Sequence, residues 1–394
     1  MRKIAIFTGN RAEYGLQYPI INAISGKTEL SYHLLVSGAH LDSNFGKTLN
    51  EIKQDGFEIY REIKIDLKGD SLFDTAQAIG SGVQNISQAL HDLKPDILVV
   101  YADRFEGFAA IIAGTQSGIP TAHVEGGDIT EGGALDDSVR HAMTKLAHLH
   151  FTTNEDAARR VRTMGEEPWR VFNVGFPAID LIADGNFASK EELTKRFGID
   201  FERPIILFTQ HSIATEYQDV AAQLGPSLRA LETMARVGCQ VIVTYPNNDA
   251  GGKRIIEMLN QWIKPGIPGI KVVSSMGRYK YHGLLYHCGL GGGRGVCVGN
   301  SSSGIKETPA LGCPAVNIGE RQKGRLRAEN VLDAGHDEKE ITVAIWKSLF
   351  DDVFREHCRN VKNPYGVGDA GKKIADVLAS IALDKKLTKK RMTI

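Results

Sequence analysis

The sequence is poor in the features that would tie it to several large classes of protein. Its 394 residues carry 47 basic and 47 acidic side chains, so it lacks the basic excess of a nucleic-acid binder. Five cysteines (Cys239, Cys288, Cys297, Cys313 and Cys358) all fall in the second half, without a C-x-x-C pair. An odd number without that spacing argues against a disulfide framework or a zinc ribbon and for reduced, mostly buried thiols. Long apolar runs are missing too. Ile97–Tyr101 is strand-sized, against the ~18 residues needed to cross a bilayer. The opening Met-Arg-Lys-Ile-Ala-Ile-Phe-Thr-Gly falls short of the roughly 7–15 apolar residues of a secretory leader. There is no internal repeat and no low-complexity segment. The expectation is a cytoplasmic protein with neither a membrane nor a nucleic-acid partner.

What the chain does have is length, glycine and alternation. Nearly 400 residues exceed what one hydrophobic core usually serves, so two domains are expected. The 42 glycines exceed the ~7% of average proteins and should occupy tight turns and phosphate-type loops. Short β-branched runs alternate with longer amphipathic ones. In the first half the strands are Ile4–Thr8, His33–Ser37, Ile97–Tyr101, Ala122–Glu125, His150–Thr152 and Val171–Val174, with helices at Leu72–Leu93 and Leu135–Ala147. In the second they are Ile205–Thr209, Val241–Tyr245, Val272–Val273, Val296–Val298 and Ala315–Ile318. This βαβ alternation predicts two doubly wound, Rossmann-like α/β domains with parallel sheets. The expected domains are residues 1–180 and 181–367, with a last helix at 368–383 packing back on the first. The basic run Lys385–Arg391 reads as a solvated, frayed end.

Ligands of such sheets bind beyond the carboxyl ends of the strands. In the first half those ends carry Gly9-Asn10-Arg11-Ala12-Glu13, Asp103-Arg104 and Glu125-Gly126-Gly127-Asp128; in the second, Gln210-His211, Asn247-Asn248-Asp249 and Gly299-Asn300-Ser301-Ser302-Ser303-Gly304. Acids and arginines dominate the first set, neutral donors the second. Gly299–Gly304, expected to open an apolar helix, suits a phosphate. It is no Walker loop, because Ile305-Lys306 follows in place of Lys-Ser/Thr. Gly289–Gly295 misses the dinucleotide spacing and reads as a flexible surface loop.

His123-Val-Glu125 lacks the P-C-x-x-C partner of zinc deaminases, and His141, His148 and His150 form no compact ligand set, so no metal or other cofactor is expected. No G-x-S-x-G elbow is present. In Leu135–Ala147, the residues Leu135, Val139, Ala142 and Leu146 form the expected buried stripe. Asp136 with Arg140, and Asp137 with His141, would be surface pairs worth ~0.3–0.5 kcal/mol each.

Taken together, these pieces resemble the hydrolysing UDP-N-acetylglucosamine 2-epimerases of sialic-acid and legionaminic-acid synthesis. The matching segments are Asn-Arg-Ala-Glu-Tyr (10–14), Asp-Arg-Phe-Glu (103–106), His-Val-Glu-Gly-Gly (123–127) and Asp-Asp-Ser-Val-Arg-His-Ala-Met-Thr-Lys-Leu-Ala-His (136–148). Further on come Tyr-Pro-Asn-Asn-Asp-Ala-Gly (245–251), Gly-Asn-Ser-Ser-Ser-Gly (299–304) and Arg-Gln-Lys-Gly-Arg (321–325). Ala102 stands where the family usually has glycine. The resemblance implies a GT-B-like pair of domains with the active site in the cleft between them, and a homodimer or homotetramer. It makes Asp103, Glu125, Asp136 and His211 the catalytic residues. Arg11, Arg104, Asn247, Ser301, Ser302, Glu307 and Arg321 are then the nucleotide-sugar contacts.

The implied reaction takes UDP-N-acetylglucosamine and water to N-acetylmannosamine and UDP through a 2-acetamidoglucal. A UDP-2,4-diacetamido-2,4,6-trideoxyglucose substrate is the alternative, and a non-hydrolysing epimerase or a GT-B glycosyltransferase lies further off. The three acids count against a transferase, which needs an acceptor site rather than acids around C2.

Overall fold

The computed structural model describes residues 1–41, 49–66, 71–129, 135–246 and 251–393. The chain divides into two compact units. The first comprises Met1–Ile129, Leu135–Leu181 and Tyr365–Ile394; the second is built from Ile182–Pro364.

The first unit holds seven strands, β1 (Arg2–Thr8), β2 (Leu30–Ser37), β3 (Ile59–Ile63), β4 (Ile97–Tyr101), β5 (Thr121–Val124), β6 (Leu149–Thr152) and β7 (Val171–Asn173). They form one sheet in the order β3-β2-β1-β4-β5-β6-β7. Every pairing is parallel, as β1 shows in running beside both β2 and β4. The second unit holds β8 (Ile205–Thr209), β9 (Gln240–Thr244), β10 (Ile270–Val273), β11 (Gly295–Gly299), β12 (Ala315–Ile318) and β13 (Val331–Ala334), again parallel, in the order β10-β9-β8-β11-β12-β13. Both are doubly wound sheets. Their central strands are largely apolar because helices cover both faces, and β4, β8 and β9 are buried along their whole length.

In each sheet the strand order reverses beside its first strand, between β1 and β4 and between β8 and β11. At such a switch point the flanking crossovers lead to opposite faces, leaving a crevice at the strand ends where no loop closes over the sheet.

The closing segment returns to the first unit. Ala370, Ile374, Ala375 and Leu378 of the helix Ala370–Ser380 share the core of β1, β2 and the helix Arg11–Ser25. Asp180 fastens the start of that helix, accepting hydrogen bonds from the amides of Ala370 (3.0 Å) and Gly371 (2.7 Å).

Two readings from composition are overturned. The basic run Lys385–Arg391 is docked, with Leu387 fully buried. The guanidinium of Arg170, itself fully buried, donates to the carbonyls of Leu387 (2.8 Å) and Lys386 (2.7 Å). Lys390 donates to the carbonyls of Lys145 (2.5 Å) and Ala147 (2.8 Å) and pairs with buried Glu166 at 2.9 Å. Buried cations need acceptors, and the last turn of a helix offers unpaired carbonyls.

Gly289–Gly295 is likewise packed rather than loose. A Cβ on Gly289 would lie 2.6 Å from the amide nitrogen of Cys313, and one on Gly291 would lie 2.9 Å from Cα of His287. Buried Arg355 donates to the carbonyls of Cys288 (3.1 Å), Gly293 (2.7 Å) and Gly295 (3.0 Å). The glycines are there for backbone approach. All five cysteines are buried and unbridged, and no helix among the described residues is long and apolar enough to cross a membrane.

Candidate active site

Next to the switch point of the first unit, β4 and β5 end side by side, with Tyr101 opposite Val124 in the register. Each strand then turns through a residue in the left-handed region, Ala102 at φ 53° and Glu125 at φ 66°. For a residue with a side chain this costs roughly 1–2 kcal/mol, and such strain gathers at functional sites. The turn at Ala102 is held by buried His123 on β5, whose Nε2–H donates to the Ala102 carbonyl at 2.6 Å. Burial pushes this imidazole down to about 3, so it is a neutral strut. Its Nδ1 faces the Thr144 hydroxyl at 3.1 Å. Asp103 and Arg104 follow immediately.

The helix Leu135–Leu146 presents a different face from the one its apolar spacing predicts. Leu135 is 63% exposed, while Asp137, Arg140, Met143 and Thr144 are buried. Arg140 turns inward, donating to Asp103 and, at 3.2 Å, to Asp137. The spacing suggests Asp136 as its partner; the pair that forms is with Asp137. Asp136 lies exposed in the first turn of the same helix. The helix thus gives up part of its apolar stripe to clamp the Asp103 corner.

In the second unit, Asn300 is the hub of the switch point. Its Oδ1 accepts from the His211 amide (2.7 Å) and its Nδ2 donates to the His211 carbonyl (2.9 Å), tying the ends of β8 and β11 together. Its own carbonyl accepts from Arg321 (3.2 Å) and Gln322 (2.8 Å), which follow β12. Burial, with the Arg321 charge in addition, pushes His211 down to about 3.

The apolar helix expected after the serine loop is a single turn. The helix is only Ser303–Lys306, followed by a 3-10 turn at Thr308–Leu311. The donors here are therefore hydroxyls and backbone amides of the loop. Ser302 makes no capping bond, Ser301 meets Ser303 at 3.2 Å, and Tyr281 meets Ser303 at 2.8 Å. Glu307 pairs with His282 at 2.9 Å.

A family model described as UDP-N-acetylglucosamine 2-epimerase matches residues 22–379. The chain belongs to this family. It is 34% identical over 333 residues to the GDP/UDP-N,N'-diacetylbacillosamine 2-epimerase (hydrolyzing) of Campylobacter jejuni, covering 84% of each chain. It is 30% identical over 390 residues, 99% of each, to the UDP-N,N'-diacetylbacillosamine 2-epimerase (hydrolyzing) of Legionella pneumophila. Among solved structures, its fold is similar to that of the UDP-GlcNAc 2-epimerase from Neisseria meningitidis bound to UDP-GlcNAc. That likeness has a TM-score of 0.78 at 18% identity, covering 96% of this chain and 99% of that one.

Within this 2-epimerase chain, the structure brings Asp103, Arg104 and Glu125 to adjacent strand ends and links Asp103 to the helix that carries Asp136. It gathers His211, Ser301, Ser302 and Arg321 about Asn300 in the second unit. Asn247 lies outside the described residues, as does the side chain of Arg11. Among the described residues, no group of three or more His, Cys, Asp and Glu could hold a metal ion. Reading by spacing missed Arg140 and Asn300 as the residues that hold each corner. Asp137, Arg140 and Thr144 at i, i+3 and i+7 carried the signal, a polar stripe on a helix that also has an apolar one.

Proposed function

We propose that the protein is a hydrolysing 2-epimerase of UDP-linked 2-acetamido sugars. The observation that supports this most is the set of acids on left-handed corners at the ends of β4 and β5, with Asp103 held by a buried arginine. A base among Asp103, Glu125 and Asp136 takes the proton from C2 while the C1–O bond to UDP breaks, leaving a 2-acetamidoglucal. Water then adds its oxygen to C1, and an acid returns a proton to the opposite face of C2. The C2 hydrogen is weakly acidic, so a base fixed in place and a stabilised leaving group are both required. Arg104, Arg321 and the serine loop supply charge and donors for the departing diphosphate. His211, neutral in its buried setting, can donate or accept a hydrogen bond without adding charge.

Two relatives named for UDP-N,N'-diacetylbacillosamine, at 34% and 30% identity, favour that 2,4-diacetamido-2,4,6-trideoxy sugar as substrate. UDP-N-acetylglucosamine, the ligand bound by the Neisseria meningitidis protein of similar fold, is the second reading. Each sugar nucleotide is incubated with the protein in D2O and the products followed by NMR. Release of free sugar of the manno configuration, deuterated at C2, together with UDP is the expected result. A UDP-linked epimer would shift the assignment to the non-hydrolysing reaction, and no turnover without an added acceptor would point to a transferase.

A further inference from the structure

Beneath the β1 and β4 ends lies a second pair of acids that the reaction above does not use. Glu13, in the first turn of Arg11–Ser25, is 4% exposed, and Glu106, in the first turn of Phe105–Gln116, is 2% exposed. Oε2 of Glu13 accepts from the Gly9 amide at 2.7 Å, which pins the loop leading to Arg11. The Glu106 side chain packs against the same loop, since a Cβ on Gly9 would lie 2.9 Å from its Cβ. Oε1 of Glu13 and Oε2 of Glu106 are both buried without a hydrogen-bond partner. Arg104, half exposed, has its Nε 3.6 Å from that Glu106 oxygen, near enough for charge attraction and too far for a hydrogen bond.

A helix cap alone would not need this. A capping carboxylate works at the surface, whereas here two buried carboxyls pack against one loop, and half-exposed Arg104 stands beside Glu106. Two buried anions packed on the same loop repel and each forfeits its hydration, so one of them keeps its proton.

We propose that Glu13 and Glu106 act as a one-proton pair that positions the Gly9–Arg11 loop and Arg104 for the diphosphate of UDP. This rests on the UDP-sugar activity proposed above. Glu13 is the neutral partner, its carbonyl-type oxygen accepting from Gly9 and its O–H directed at the Glu106 carboxylate, which in turn orients Arg104. Both are positioning residues. Among the described residues, the other titratable groups around them are Tyr101 at the end of β4, with Glu125 and Asp128 beyond it, and His40 after β2. Burial raises the Tyr101 phenol and lowers His40 to about 4, so both are neutral over the working range. Burial above all, with the Glu106 charge in addition, pushes Glu13 up to about 8, and burial raises Glu106 as well. When the shared proton leaves, the pair holds two charges and the corner opens.

The test is UDP affinity against pH by calorimetry, with the intact protein and its E13Q variant. A group titrating at about 8 is only about one-tenth protonated at pH 9, so UDP should bind about tenfold more weakly at pH 9 than at pH 7. E13Q keeps the acceptor for Gly9 and supplies an N–H donor toward Glu106. It should bind within about threefold of the native protein at pH 7 and lose most of the extra weakening at pH 9. UDP titrates identically against both proteins, so the difference between them isolates Glu13. E106Q should bind more weakly at both pH values, because Arg104 has lost its anion. Parallel pH curves for native and E13Q would overturn the inference while leaving the UDP site standing. Absence of UDP binding by the native protein at pH 7 would overturn both.

Discussion

Replacing Arg140 by methionine should produce a loss of stability that depends on pH in a particular direction. Arg140 is 4% exposed and holds two acids at once, Asp137 at 3.2 Å and Asp103 beside it. At that separation and an effective dielectric of about 20, one pair is worth about 5 kcal/mol before desolvation. Methionine fills most of the space without the charge, so the loss is chiefly that of stranding two carboxylates, about 3–5 kcal/mol at neutral pH. The first unit has roughly 200 residues. At an unfolding entropy of about 2.1 cal/mol/K per residue, that loss lowers its midpoint by about 7–12 °C.

The assay is thermal unfolding followed through Trp169, which lies in the first unit, at pH 7.5 and pH 4.5. Acid supplies protons to the stranded carboxyls, so the deficit should be largest at pH 7.5 and shrink on acidification. Adding Asp137→Asn to the variant should recover about 1–3 kcal/mol, because the two sites are coupled. A shift below 2 °C, or an equal deficit at both pH values, would refute a buried double ion pair at this corner.

Other expectations are direct. Gly289→Ala places a methyl against the backbone at Gly312–Cys313, where nothing can give, and should cost about 3 kcal/mol. Gly292→Ala meets open space at φ 82° and should cost only about 1 kcal/mol in backbone strain; equal losses in thermal unfolding would mean that this turn is not tightly packed. Lys390→Met removes a cation from fully buried Glu166 and the caps from the carbonyls of Lys145 and Ala147. A loss of about 2–4 kcal/mol in urea unfolding is expected, and a change under 0.5 kcal/mol would contradict the docking of the tail. His211, held near 3 by burial, takes up fewer protons folded than unfolded, so its contribution to stability falls as pH drops from about 6.5 towards 3. An NMR titration of labelled histidine should show no His211 midpoint above pH 5, and a midpoint near 6.5 would show an exposed imidazole.

Much of the architecture was legible because parallel strands buried on both faces have a plain signature. β4 and β8 appear as nearly unbroken apolar runs, and the polar residues after them mark the strand ends. Edge strands lack that signature. β3 alternates partly buried and exposed residues and β13 is only half-buried, so neither stood out from loop sequence. Asp103 and Glu125 were visible as acids at strand ends. What holds them was not, because a buried Arg140 reads like a surface arginine until its helix is seen to turn that face inward. The glycine cluster at 289–295 misled for a related reason. Glycine marks freedom or close approach with the same letter, and only the neighbouring backbone distinguishes them.

The position of the docked tail also sets an order of assembly. Residues 385–390 supply the acceptors for buried Arg170 and the cation for buried Glu166, yet they follow the entire second unit in the chain. On the ribosome the second unit has emerged and can close while the first still lacks its last helix and its clamp, the reverse of the usual N-terminal-first sequence. Chains truncated after residue 364 and released from the ribosome should therefore be cut by protease within the first 180 residues and resist cutting beyond them; resistance in both parts would show that the first unit closes without its tail.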